Sequence, residues 1–138
     1  MSFEKMSNVG IDNETRNFII LYNFNVKEAS MIKNICNMLG IRDQVILSHK
    51  NANSTIRNII DSNIDSTCES GINQKAMIFN NVDHMKVSAF IDSLKKFRIN
   101  RPLIAVTTEG NIDWSLDTLI SNLLEERIAM KSGKTVKH

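Results

Sequence analysis

The side chains of this chain with which chemistry could be done are few. They are His49 and His84 in the body of the sequence, two cysteines, and many asparagines and threonines. Nucleophilic catalysis needs a cysteine or serine beside an oriented base. Cys36 falls on the apolar stripe of a helical pattern and reads as core, and Cys68 lies in a polar loop with no histidine near it in sequence. His49 and His84, if they met above a sheet, could act as a base or a ligand pair. Their wide separation carries no metal-ligand signature, and His84 reads as an exposed residue of a first helical turn. A phosphate cradle needs glycines after the first strand, so that backbone N–H groups can approach the anion. The stretch Asn23-Phe24-Asn25-Val26-Lys27 has none. A phospho-accepting receiver needs clustered aspartates to hold magnesium, whereas the first and third strands end in Asn23 and Asn80. An active receiver is excluded on those residues, and a degenerate one stands beside an enzyme as a third reading. No cofactor and no metal site is expected.

The remaining constellation is a rim of amides, hydroxyls and imidazoles: Asn23, Asn25, His49, Asn80, Asn81, His84, Thr107, Thr108 and Asn111. In an open parallel sheet these positions would gather at the carboxyl ends of the strands, where such folds bind ligands. The same residue types dominate turns and helix caps in any fold, and that structural reading outweighs the binding one. Trp114, the one tryptophan, is a candidate to stack on a ligand or anchor a partner; fixing the start of the last helix is the preferred role. Lys95, Lys96, Arg98 and Arg101 surround Phe97 near a helix C-terminus, where cations complement the helix dipole.

The elements that must position these groups follow from hydrophobic spacing. Near-continuous apolar runs at 18–22, 45–47, 76–79 and 103–106 suit strands buried on both faces. Each is followed by a helical pattern. Asn25 and Glu28 have capping-box spacing ahead of Ile32, Ile35, Cys36 and Leu39, with Gly40 as a stop. Asn53 or Ser54 is the expected cap of a short helix bearing Ile56, Ile59, Ile60 and Ile64. Asp83 precedes the stripe Val87, Phe90, Ile91, Leu94 and Phe97. Leu116, Leu119, Ile120, Leu123 and Leu124 form the last apolar face. Strand and helix alternate four times, which predicts an α/β fold. The expected form is three-layer and flavodoxin-like or Rossmann-like: a four-stranded, mostly parallel sheet of order 2-1-3-4 with helices on both faces. The four strands are expected to point the same way. No sequence repeat is visible beneath this rhythm. The predicted organisation is an N-terminal arm over 1–16, one α/β domain over 17–130 and a polar tail over 131–138.

Thr107-Thr108, then Asn111-Ile112-Asp113-Trp114-Ser115-Leu116, then Leu119 and Leu123-Leu124-Glu125-Glu126 resemble a bacterial domain-of-unknown-function family, number 3783. In that pattern an apolar strand ends in threonine, an Asn-x-x-Trp-Ser-Leu turn follows, and a leucine-rich helix ends in acidic residues. The likeness covers the second half of the chain well and the first half loosely. It implies a fold and assigns no activity.

Composition bounds the partners. At 138 residues with 42% hydrophobic and 23% charged residues, the chain can bury one core. A net charge of +2 supplies no field for nucleic acid or a membrane. The first residues lack the apolar segment of a signal peptide, and two cysteines in no framework suit a reducing, cytoplasmic setting. The leading expectation is a non-catalytic protein-interaction or regulatory module whose partner is an unknown protein or a second copy. Met31, Met38, Met85 and Met130 at helix edges are suited to such a surface. A small-ligand sensor using the amide rim is the alternative.

Overall fold

The computed structural model describes residues 16–131. All but the last residue of the expected N-terminal arm, and all but the first of the expected tail, lie outside that range. The elements are β1 (Phe18–Tyr22), α1 (Val26–Met38), β2 (Gln44–Leu47), α2 (Ile56–Ile60), β3 (Ala76–Asn80), α3 (His84–Lys96), β4 (Leu103–Val106) and α4 (Leu116–Lys131), with a single 3₁₀ turn at His49–Asn51. They form one sheet of order β2-β1-β3-β4. Every residue of β1 and β3 is buried, as expected of central strands covered on both faces, while β2 and β4 are half-open edges. Alternate side chains face two cores. Phe18, Ile20, Tyr22, Ala76 and Ile78 pack under α2 and α4. Ile19, Leu21, Met77 and Phe79 pack under α1 and α3, where Phe79 and Phe90 meet edge to face at 5.4 Å.

The strand order and the layers match the sequence expectation, but the direction of the middle pair does not. β1 runs parallel to β2 and β3 parallel to β4, whereas β1 and β3 are antiparallel, with Ile20 opposite Ile78. The cause lies in the connection from β2 to β3. The α2 helix has only five residues, a rise of about 7–8 Å, so it does not carry the chain across the sheet and on to a parallel return. The chain doubles back instead. Asp65 N–H donates to Ser54 Oγ at 2.8 Å, and Asn51 Nδ2 donates to Asp65 O at 3.0 Å. Cys68 N–H then donates to Lys50 O at 3.0 Å and Tyr22 Oη to Ile72 O at 2.9 Å. The segment thus re-enters the sheet at the end it left. Ser54 is drawn into this return, and Thr55 caps α2, its Oγ1 accepting from Asn58 N–H at 3.0 Å. Ile64 falls beyond the helix and is exposed, as is Phe97.

The antiparallel centre exposes a repeat. β1-α1-β2-α2 and β3-α3-β4-α4 are the same unit, related by an approximate two-fold axis through the Ile20/Ile78 pair. Equivalent residues perform equivalent tasks. Asn25 caps α1 and Asp83 caps α3. Asn23 (φ 69°) and Asn81 (φ 56°) both take the left-handed conformation after a central strand, which asparagine tolerates better than most residues. Gly40 (φ 77°) and Arg98 (φ 57°) do the same after α1 and α3. On one face Thr55 and Ser115, the residues before α2 and α4, form an antiparallel bridge. It is flanked by Ile56 N–H to Trp114 O (3.3 Å) and Leu116 N–H to Ser54 O (2.9 Å), then by Arg57 N–H to Ile112 O and Asp117 N–H to Ala52 O, both 3.0 Å. Between 18–41 and 76–99 only Ile20/Ile78, Asn23/Asn81, Ser30/Ser88 and Ile41/Ile99 are identical, so the repeat is one of geometry, carried by almost no shared residues.

Candidate functional site

Antiparallel β1 and β3 divide the expected rim. Tyr22 pairs with Ala76 and Phe18 with Asn80, so the carboxyl ends of β1 and β2 lie at one end of the sheet and those of β3 and β4 at the other. Asn23, Asn25 and His49 are gathered at the first end. Asn80, Asn81, His84, Thr107, Thr108 and Asn111 are gathered at the second. Asn23, Asn80 and Thr107 therefore line no common pocket, and His49 and His84 are held apart.

The rim asparagines and threonines already have local work. Asn25 Oδ1 accepts from Glu28 N–H at 2.7 Å while Glu28 Oε1 accepts from Asn25 N–H at 3.2 Å, a complete capping box. Asn23 Nδ2 donates to Asn73 Oδ1 at 3.0 Å, and its counterpart Asn81 donates to Asn17 Oδ1 at 2.5 Å. Asn80 is 4% exposed, and both ends of its amide are satisfied. Its Nδ2 donates to Arg16 O at 2.7 Å, and its Oδ1 accepts from Thr107 Oγ1 at 2.6 Å. Asn111 closes the turn after β4, its Oδ1 accepting from Thr108 N–H at 2.8 Å and its Nδ2 donating to Val106 O at 3.2 Å. His49 opens the 3₁₀ turn and His84 opens α3, and both rings are exposed. Cys36 is wholly buried, and desolvation pushes its thiol up to about 12, the opposite of an activated nucleophile. Among the described residues no group of three metal-binding side chains forms.

The open surface lies elsewhere, along the β4 edge and α4. β4 pairs with β3 alone, so the backbone groups on its outer side face away from the sheet. Two cavities run beside it and meet at Leu123 and Glu126. One, of about 580 Å³, takes in Val106, Trp114, Leu119 and Ala129. The other, of about 500 Å³, takes in Leu103, Ile104, Met130 and Arg101. Val106 is 48% exposed, Trp114 38% and Met130 72%. Trp114 is thus both anchor and surface. Its backbone N–H and C=O are fixed by Asn111 and Ile56, while its ring forms part of the cavity wall. Leu123 and Leu124, expected to face inward, are half-buried, because the second half of α4 extends past the deep core. The signal for this was in the sequence: the leucine stripe continues into Ile128 and Met130 after the number of strands available to cover it has run out.

Two arginines that carry no sequence pattern brace the strand lead-ins. Arg16 clasps Asp43 through Nε–Oδ2 at 2.6 Å and Nη2–Oδ1 at 3.1 Å, and donates Nη1 to Ile59 O and Ile60 O, each at 3.0 Å. The guanidinium also lies 4.7 Å from the Phe18 ring centre. It ties the lead-ins of β1 and β2 to the end of α2. In the second half Arg127, on α4, donates Nη2 to Pro102 O at 2.7 Å and to Arg101 O at 3.3 Å.

Among the described residues no helix is long and apolar enough to cross a membrane. No curated protein and no solved structure matches the chain. One family does match, a domain of unknown function (DUF3783), over residues 75–130. That span begins just before β3 and ends within α4, so it covers the second repeat and none of the first. Residues 75–130 thus resemble the domain of unknown function DUF3783.

Proposed function

We propose that the protein is a non-catalytic interaction module that receives a protein partner along the β4 edge and the adjoining face of α4. The observation that carries this reading is the trench of two joined cavities beside an unpaired edge strand, walled by Ile104, Val106, Trp114, Leu123 and Met130. An added strand gains main-chain hydrogen bonds from β4 and specificity from the pockets alongside. Large exposed aromatic and flexible apolar side chains are the groups that anchor such contacts. Catalysis is disfavoured by the division of the rim, since the two histidines that could act as bases stand at opposite ends of the sheet and the rim amides are consumed by caps and turns.

The test is site-specific photo-crosslinking in the native cytoplasm, with the photoreactive residue at Val106 or, as a control, at Met85, which is exposed on α3. A discrete adduct from position 106, absent from position 85 and abolished by Leu123→Glu, is the expected result. Equal adducts from both positions, or none from 106, would remove the β4 edge as the contact surface.

A further inference from the structure

We propose that the cleft between Arg101 and Arg127 is a carboxylate-binding site. The two repeats differ at this place. In the first, the lead-ins of both strands meet the end of α2 around one guanidinium, and the chain supplies its own anion: Asp43 takes Arg16 in two parallel hydrogen bonds. In the second repeat Asp43 is replaced at the lead-in by Arg101-Pro102, and Gln74 stands where Arg16 stood. The cation comes instead from Arg127 on α4, which grips the lead-in carbonyls through one nitrogen. Among the described residues no carboxylate lines the equivalent place.

What lies there is a cleft of about 390 Å³ lined by Asn23, Asn73, Gln74, Asn100, Arg101 and Arg127. Lys75, also on its wall, is already engaged with Glu28 at 2.6 Å. On the other side of the two arginines is the apolar cavity of Ile104, Leu123 and Met130, whose one carboxylate is Glu126. Both guanidiniums line the cleft, neither pairs with a carboxylate among the described residues, amide side chains stand beside them, and no described acid lines the cleft. Guanidinium forks match a planar carboxylate in two parallel hydrogen bonds, and an apolar wall on one side reduces competition from water. The ligand class is therefore a carboxylate, borne either by a small organic acid or by an acidic side chain of a partner. The inference does not rest on the β4-edge reading, whose crosslinking position, Val106, lies at the far end of that strand.

The experiment is NMR on the full chain, following arginine Nε–H resonances during titration with succinate and, separately, with a hexaglutamate peptide. Saturable shifts at Arg101 and Arg127 with an unmoved Arg16, already occupied by Asp43, are expected. Succinate acting alone assigns the site to free acids, and the peptide acting about tenfold more tightly assigns it to a partner side chain. Arg101→Glu, at an exposed position with no structural bond from its side chain, is expected to weaken the effective ligand at least about tenfold while leaving the folded spectrum intact. Absence of saturable shifts with both probes, equal shifts at Arg16, or indifference to Arg101→Glu would overturn the proposal.

Discussion

The sharpest prediction concerns Tyr22, the chain's one tyrosine. Its ring is completely buried, and its hydroxyl donates to Ile72 O at 2.9 Å. The N–H of Ile72 is held in turn by Asp117 Oδ1 at 2.9 Å. Burial, with the Asp117 carboxylate second, pushes the phenol from 10.0 up to about 12. A rise of about two pH units means roughly a hundredfold less phenolate at any given pH than in the unfolded chain. The neutral form is the one the fold prefers, so its contribution to stability is complete below about pH 10 and is lost as pH climbs from there towards 12. Phenolate absorbance near 295 nm reads this single group directly, and the fluorescence of Trp114 reports whether the fold persists at each pH. The expected titration of native protein has its midpoint about two units above that in denaturant, or coincides with alkaline unfolding. Tyr22→Phe is expected to lose about 1 kcal/mol at neutral pH and to flatten the fall in stability above pH 10. Asp117→Asn, which still accepts from Ile72 N–H, is expected to lower the midpoint. A native titration near pH 10 with Trp114 fluorescence unchanged would refute the packing of the 61–75 return over β1.

Three further outcomes are expected. Asn80→Ala strands Arg16 O and the Thr107 hydroxyl and is expected to cost about 2–3 kcal/mol in urea unfolding, with a coupling to Thr107→Val of about 1 kcal/mol; strict additivity would break the proposed bond. Ile78→Ala, at the two-fold axis and wholly buried, is expected to cost about 2–5 kcal/mol, and Ile20→Ala a similar amount; a large disparity between them would contradict the equivalence of the repeats. Gly71→Ala would place a Cβ 2.2 Å from His49 O and 2.8 Å from Ala52 Cβ, so a loss of about 1–3 kcal/mol is expected from thermal unfolding, and an unchanged melting temperature would show that the loop is looser than described.

Much of the architecture was legible because it rests on local signals. Buried apolar runs marked β1 and β3, the Asn25/Glu28 spacing marked the start of α1, and the alternation of strand and helix suggested the flavodoxin-like order 2-1-3-4 that the sheet has. Strand direction was not legible, because it depends on whether 48–75 crosses the sheet or folds back, and that is decided by Ser54, Asn51 and Tyr22 bonding to residues far along the chain. The rim failed with it: Asn23 and Asn80 have the right chemistry for a shared site and the wrong directions to share one. Arg16 and Arg127 carried no pattern at all, since their partners are backbone carbonyls and, for Arg16, an aspartate well removed in sequence. The repeat was hidden for a related reason, as Gly40 and Arg98 solve the same backbone problem with unlike side chains.

A chain built as two matching halves around an axis has no inherent first and last half. The hydrogen bonds at Thr55/Ser115 and the pairing of Ile20 with Ile78 are indifferent to which unit is synthesised earlier. Severing the 61–75 connector and joining the end of α4 to the start of β1 through a tether of similar reach would yield a permuted polypeptide with the same two cores.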